Sequence, residues 1–308
     1  MRDISVGLIG CGGFMRAMHL PHLLESDLFR VAATCDVDLA AAEALRAASG
    51  AEYATADPDR LLADPGIDAV IIATRHDSHA ALTIAAAQAG KHVLCEKPMG
   101  LNERECRAVA AAVRAAGVKY TVGYNRGMAP LIVRAREILA GLPAKRLIYH
   151  RIQAPFPQTH WTHLPAVGGG RFVGEGCHIF DLLCELVPAP PVAVYASGGT
   201  FLDPAVVHIP DSGIVTVTFA DGSVGTTLIA SDGCARFPKE STEIYCAGTA
   251  ILIDDFSRLT YRGGSADKDV VLALPAQDKG HAQELQQFGE AILEGRPAPN
   301  DLPRALRA

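Results

Sequence analysis

The stretch from Ile4 to Asp36 constrains the fold more tightly than any other part of this chain. Ile4 to Ile9 is an unbroken apolar run that reads as a buried strand, and Gly10-Cys11-Gly12-Gly13 follows it directly. Glycines at such a point allow a tight turn and bring backbone N–H groups close to an anion. The segment from Phe14 to Ser26 is patterned as a helix, whose positive N-terminal end would face a pyrophosphate. A second apolar run, Phe29 to Cys35, ends at Asp36, about 20 residues past the glycines. A carboxylate there accepts hydrogen bonds from both ribose hydroxyls and repels a 2′-phosphate. The stretch therefore implies a dinucleotide site, for NAD rather than NADP, contacted by Gly10, Gly12, Gly13, Phe14, Met15 and Asp36. The third position of G-x-G-x-x-G is Met15, so looser packing between helix and strand is expected there.

Up to residue 122 the chain alternates strand and helix. Apolar runs at 4–9, 31–35, 69–73, 92–95 and 118–122 are separated by Ala-rich helical segments near 38–48, 78–89 and 102–116. Single buried strands joined by helices make a parallel, doubly wound sheet. Gly90 and Gly117 stand where helix C-caps belong. Beyond Gly123 the segments 145–153, 192–200, 213–220, 223–231, 241–247 and 249–253 are β-branched and often alternate. Asp221-Gly222 and Ala247-Gly248 lie between pairs of them as hairpin turns. The expected architecture is α/β: a Rossmann domain over 1–122, then an α+β domain over 123–308. The second has an open, mostly antiparallel sheet and helices near 130–140, 178–187 and 281–293.

Composition narrows the class. At 308 residues, 49% hydrophobic and 20% charged, the chain can bury a core in each of two domains. A net charge of −6 without a basic stripe argues against a nucleic-acid partner, and charge interrupts the Ala-rich stretches before they reach membrane-span length. The eight cysteines form no C-x-x-C pair, and Cys35, Cys95, Cys177 and Cys184 sit inside apolar runs. They read as reduced thiols of a cytoplasmic protein. Met1 lies too close to the first strand for a signal peptide to be expected.

Glu96-Lys97-Pro98 follows the strand His92–Cys95, at the sheet edge where ligands of doubly wound folds sit. A lysine there can hold a substrate hydroxyl or exchange its proton, while Glu96 can orient it or touch the nicotinamide ribose. His178 follows Gly176 at a helix start, with Asp181 nearly one turn on; it suits proton exchange, or equally a helix cap. Arg126, His160, Trp161, His163 and Arg171 fall in loops that can reach a cleft. Trp161 can stack on a sugar ring or close a loop, and Arg171 can bind a carboxylate or phosphate. His150, His160 and His163 match no zinc spacing, so no metal is expected.

The chain resembles the Gfo/Idh/MocA (glucose-fructose oxidoreductase, inositol dehydrogenase, rhizopine catabolism) family. The resemblance rests on the glycine loop, Asp36, Ile71-Ile72-Ala73-Thr74 with His79, and the run from Ala89-Gly90-Lys91-His92 through Glu96-Lys97-Pro98. It continues through Val122-Gly123-Tyr124-Asn125-Arg126, Gly168-Gly169-Gly170 and Gly176-Cys177-His178-Ile179-Phe180-Asp181, reaching about Pro297. It implies that Lys97 assists proton transfer at a substrate hydroxyl, that the bond before Pro98 is often cis, and that His178 completes the site. It adds Thr74, His79, Glu96 and Lys97 as cofactor contacts, and Tyr124, Asn125, Arg126, Trp161, Arg171 and Asp181 as substrate contacts.

Two departures stand out. Family dehydrogenases carry an aspartate four residues before the histidine, where this chain has Gly174 with Glu175 beside it. Glu175 is the candidate to take over that part of the catalytic group. Arg75 stands where proline is usual, and together with Phe237-Pro238-Lys239-Glu240 these features resemble a branch found fused to zinc-type alcohol dehydrogenases. The expected activity is NAD(H)-dependent hydride transfer at a secondary alcohol or ketone of a sugar, sugar derivative or cyclitol. The alternatives are an NAD-dependent glycosidase without net redox change and a non-catalytic sugar sensor. The exposed face of the open sheet implies self-association, and the resemblance implies a homodimer or homotetramer packed through that sheet.

Overall fold

The computed structural model describes residues 3–142, 145–263 and 269–308; Met1, on which the expectation about a signal peptide rested, lies outside the described residues. The chain divides into two compact units, Met1–Tyr124 with His281–Leu306, and Asn125–Gly280 with Arg307–Ala308.

The first unit is built on strands β1 (Ile4–Ile9), β2 (Phe29–Cys35), β3 (Tyr53–Thr55), β4 (Ala69–Ile72), β5 (His92–Cys95) and β6 (Tyr120–Val122). All pair in parallel, in the order β3-β2-β1-β4-β5-β6. This is the doubly wound arrangement expected, with its topological switch beside β1. The helices are α1 (Leu20–Glu25), α2 (Leu39–Ser49), α3 (Pro58–Leu62), α4 (His76–Gln88) and α5 (Glu103–Ala116). Short polar side chains begin three of them: Asp38, Asp57 and Asn102 each accept a backbone N–H of the first turn. Gly117 caps α5 in the left-handed conformation. β3 does not show in the sequence because three residues, Tyr53-Ala54-Thr55, are too few to show a period.

In the second unit, β7 (Leu147–Gln153), β8 (Pro191–Gly199), β9 (Ser212–Phe219), β10 (Val224–Ala230), β11 (Glu240–Cys246), β12 (Thr249–Asp254), β13 (Arg258–Arg262) and β14 (Val270–Ala273) form one sheet. Its order is β14-β13-β12-β11-β7-β10-β9-β8, and every pairing is antiparallel except β10 with β7. Both expected hairpins are present. Helices α6 (Pro130–Ala140) and α7 (Cys177–Leu186) cover one face, burying Leu131, Ile132, Leu182 and Leu186 with Ile148, Val217, Phe219, Ile244 and Ile251.

The last helices, α8 (His281–Glu294) and α9 (Leu302–Ala305), return to the first unit. Leu285 and Phe288 of α8 complete the core formed by Leu8, Met15, Phe29 and Leu45. Asn300 is fully buried there and donates to the carbonyls of Val122 and Tyr124 and to Glu284 Oε1, each at 3.1 Å. Sequence alone assigns this segment to the second domain, 123–308. Its apolar face is complementary to either core, and periodicity cannot say which one it meets.

Candidate active site

The glycine loop follows from local sterics. Gly10 has φ +90°, and a Cβ there would lie 2.6 Å from the Ala73 carbonyl oxygen, so only glycine fits. At Gly12 and Gly13 the opposite holds: a Cβ would meet nothing within 4 Å. Packing does not demand glycine at these two positions. They leave open ground before the helix that runs from 13 to 25, whose first N–H groups suit a pyrophosphate. Asp36 is fixed against this loop, since its Oδ2 accepts the Cys11 N–H at 2.6 Å and its Oδ1 accepts that of Asp38 at 2.9 Å. The residues thus fit a dinucleotide. The neighbouring thiols of Cys11 and Cys35 are pushed up, to about 12 and about 11, by burial and by Asp36, which keeps them protonated and inert.

Met15 is fully buried in the core, at the start of a π-helical turn, Met15–His19. The wider turn places this bulky side chain beneath the loop, where the third glycine of the pattern would stand. Its side chain therefore does not face a ligand. Phe14 remains 42% exposed, with its ring edge-on to His19 at 5.6 Å and to His281 at 6.1 Å.

At the C-terminal end of β5 the buried Glu96 receives His19 Nε2 at 2.8 Å on Oε1 and the Lys97 N–H at 3.3 Å on Oε2. Burial would raise the Glu96 carboxyl, but His19, Lys97 and His281 together outweigh it and hold the group below its ordinary range. Gly123 is required alongside, since a Cβ there would lie 2.9 Å from Glu96 Oε1. The Lys97–Pro98 bond is cis, and Lys97 itself is half-buried. His79 is completely buried, with Nδ1 on the Pro98 carbonyl at 2.8 Å and Nε2 on the Thr74 carbonyl at 3.2 Å. Two carbonyl partners require two N–H donors. Burial works against the charged ring, yet Cys95 and the two carbonyls push its pKa up to about 9. His79 therefore ties the end of β4 to the Glu96-Lys97-Pro98 loop and has no ring nitrogen left for a cofactor.

In the second unit, Arg126 lies in a 3-10 turn, Asn125–Met128, and is buried. Its guanidinium grips Glu240 through Nε at 2.8 Å and Nη2 at 2.9 Å. Lys279 Nζ reaches the same carboxylate at 2.6 Å, and His150 Nε2 stands 3.5 Å away. Burial would raise Glu240, but Arg126, His150 and Lys279 hold it well below the usual range, while burial keeps His150 neutral. Arg126 is thus committed to a buried ion pair instead of a ligand, and the Asn125 side chain to the Lys279 carbonyl at 2.7 Å. Tyr124 is buried at the end of the first unit.

A helical run from 170 to 186 contains a π turn, Phe172–Gly176, and then α7. It carries Arg171, Glu175, His178 and Asp181, of which only Glu175 is more than marginally exposed. Glu175 meets three cations: Lys239 at 3.0 Å, Arg171 at 3.5 Å and Arg126 at 3.6 Å. Trp161 is partly covered, tilted against His160 at 5.2 Å between ring centres. His160 and His163 both set their rings edge-on to Phe156. His19, Lys239, Glu240 and Lys279 were not among the candidate side chains. His19 was discoverable as a histidine on the core-facing side of the first helix, and Glu240 as a charge at the head of a strand that follows Pro238-Lys239.

Comparison with known proteins identifies the family. The profile of the Gfo/Idh/MocA oxidoreductase family, NAD-binding Rossmann fold, matches residues 4–124, and that of the family's C-terminal domain matches 146–251. The chain is 32% identical to scyllo-inositol 2-dehydrogenase (NAD(+)) of Bacillus subtilis, over 83% of this chain and 77% of that protein. It is 28% identical to levoglucosan dehydrogenase of Pseudarthrobacter phenanthrenivorans, over 96% of this chain and 90% of that protein. The crystal structure of GenD2, from gentamicin A biosynthesis, in complex with NAD superposes with a TM-score of 0.85 at 25% identity, covering 100% of this chain and 91% of that one. The glycine loop, the fixed carboxylate at Asp36, the lysine loop after β5 and these matches lead to one conclusion: the chain belongs to the Gfo/Idh/MocA family of NAD-binding oxidoreductases.

Proposed function

We propose that this oxidoreductase interconverts a secondary alcohol and a ketone on a sugar, sugar derivative or cyclitol. The observation that carries the reading is the lysine loop. Lys97 stands at the ligand-binding edge of the parallel sheet, its backbone fixed by Glu96 and the neighbouring Pro98 carbonyl held by His79. Bound NAD supplies the hydride acceptor, and its reduced form the donor. Lys97 and His178 hold the substrate hydroxyl and take or return its proton. Gly10, Gly12 and Gly13 receive the pyrophosphate, and Asp36 the adenosine ribose. Glu175, shared by Lys239, Arg171 and Arg126, serves as their counter-ion and positions them. The names of the relatives, inositol and levoglucosan dehydrogenases, support this substrate class and favour net oxidation over the glycosidase and sensor readings.

The finer resemblance to the branch fused to zinc-type alcohol dehydrogenases remains part of the proposal, resting on Arg75, Gly174 and Phe237-Pro238-Lys239-Glu240. So does a cytoplasmic setting. A homodimer or homotetramer through the uncovered sheet face is also proposed, supported by a row formed by Tyr195, Thr216, Thr226, Tyr149, Glu243 and Leu252 across six strands.

The test is NADH formation at 340 nm across sugars, sugar acids, amino sugars and inositols, with NAD and NADP in parallel. A substrate-dependent signal with NAD, lowered on the order of 100-fold or more by Lys97→Ala with NAD affinity retained, is the expected result. Silence across the panel with NAD binding intact by calorimetry overturns it.

A further inference from the structure

Arg171 and its surroundings deepen the proposed function by naming a substrate class. Its side chain is only 3% exposed. Its guanidinium lies 4.1 Å over the ring of Phe156, an apolar floor that strips water from one face. Among the described residues, Nε and Nη2 are buried and have no hydrogen-bond partner. The nearest carboxylate contact is Nη1 to Glu175 Oε2 at 3.5 Å, the limit of a hydrogen bond, and Glu175 is already divided with Lys239 and Arg126. Arginine does not escape burial by losing its proton, so a buried guanidinium edge calls for an acceptor. Asp211 is near enough to act on Arg171 electrostatically. However, its oxygens already accept from the backbone N–H groups of Phe201 and Leu202 and from the Ser212 hydroxyl.

A second group shows the same lack. His163 is 5% exposed, and neither ring nitrogen has a partner among the described residues. Its ring meets the same Phe156 at 5.3 Å, and burial together with Arg171 keeps it neutral, so it carries one N–H. Nε and Nη2 of one guanidinium form the side-on fork that matches the two oxygens of a carboxylate. Arg171 lies seven residues before His178 on one helical run, under two turns away, a separation on the scale of a sugar ring with a substituent.

We propose that Arg171, with His163 and over Phe156, recognises a carboxylate on the substrate, so that the enzyme's substrates are sugar acids or carboxylated cyclitols. A monoanion suits the position better than a phosphate dianion, because Glu175 and Asp211 lie close by and repel added negative charge.

This inference rests on the dehydrogenase reading, and the experiment separates the two. Initial rates with NAD are compared for matched pairs: a hexuronic acid, its methyl ester, the neutral hexose and the hexose phosphate. The expected result is a kcat/KM for the acid at least 100-fold above that of the ester and the neutral sugar, carried mainly by KM. Arg171→Met should collapse this ratio to within a few-fold, and Arg171→Lys should restore part of it. The wild-type acid-to-ester comparison keeps the test valid if Arg171→Met does not fold. Equal turnover of acid, ester and neutral sugar overturns the carboxylate assignment while leaving the dehydrogenase standing, as does preference for the phosphate. Absence of turnover with every member, NAD binding being intact, defeats the dehydrogenase reading itself.

Discussion

Asp36 holds the glycine loop through the Cys11 N–H, and the same carboxylate is the group proposed to meet the adenosine ribose. Asp36→Ala should narrow the NAD-over-NADP preference at least tenfold in kcat/KM and also weaken NAD itself, measured with both cofactors; an unchanged ratio would remove Asp36 from recognition. His79 was legible as a motif position but not as what it is, because a sequence does not show two carbonyls converging on one ring. Its pKa is raised from 6.5 to about 9, so its stabilising contribution is complete below about pH 6.5 and fades as pH rises through 9. Between pH 7 and 10 the wild type should therefore lose more thermal stability than His79→Asn, when both melting curves are followed across that range. Parallel curves would show that the ring is neutral in the fold. Arg126 was misjudged for a related reason. A loop arginine reads as a ligand contact until a distant glutamate, here Glu240, is seen beneath it.

At the scale of elements, long strands and capped helices were visible because their burial repeats. β13 and β14 were missed: the first is five residues ending in exposed charge, and all four residues of the second are exposed, leaving no alternation to read. The loop before β11 depends on a residue that no pattern marks. Gln153 Nε2 donates to the carbonyls of Cys234, Phe237 and Pro238, and its Oε1 accepts the Cys234 N–H, fixing the segment that carries Lys239. Asn300 has the corresponding task beside β6. Asn300→Ala removes a buried donor from the carbonyls of Val122 and Tyr124 and from Glu284, and should cost about 1–3 kcal/mol in chemical denaturation. A loss below about 0.5 kcal/mol would mean that these carbonyls find other donors.

For the whole molecule, the uncovered sheet face is where the proposed dimer or tetramer would form. Thr226 stands near the centre of that face, paired through its hydroxyl with Thr216 at 3.0 Å. Thr226→Arg should lower the assembly state in light scattering at micromolar concentration while the monomer stays folded; an unchanged mass would place the contact elsewhere. The division into units holds a consequence of another kind. The chain leaves the first unit after Tyr124 and comes back at His281, and Gly280 packs on the backbone of Asn125 and Ala129, so the second unit's two ends meet. During synthesis on a ribosome, the six parallel strands emerge before the inserted unit and must wait for Phe288 and Asn300 until that unit has been made. The nascent protein carries an unfinished cofactor domain while the entire inserted unit is made. Capture of the dinucleotide by a completed domain then has to wait for α8, however early its glycine loop was made.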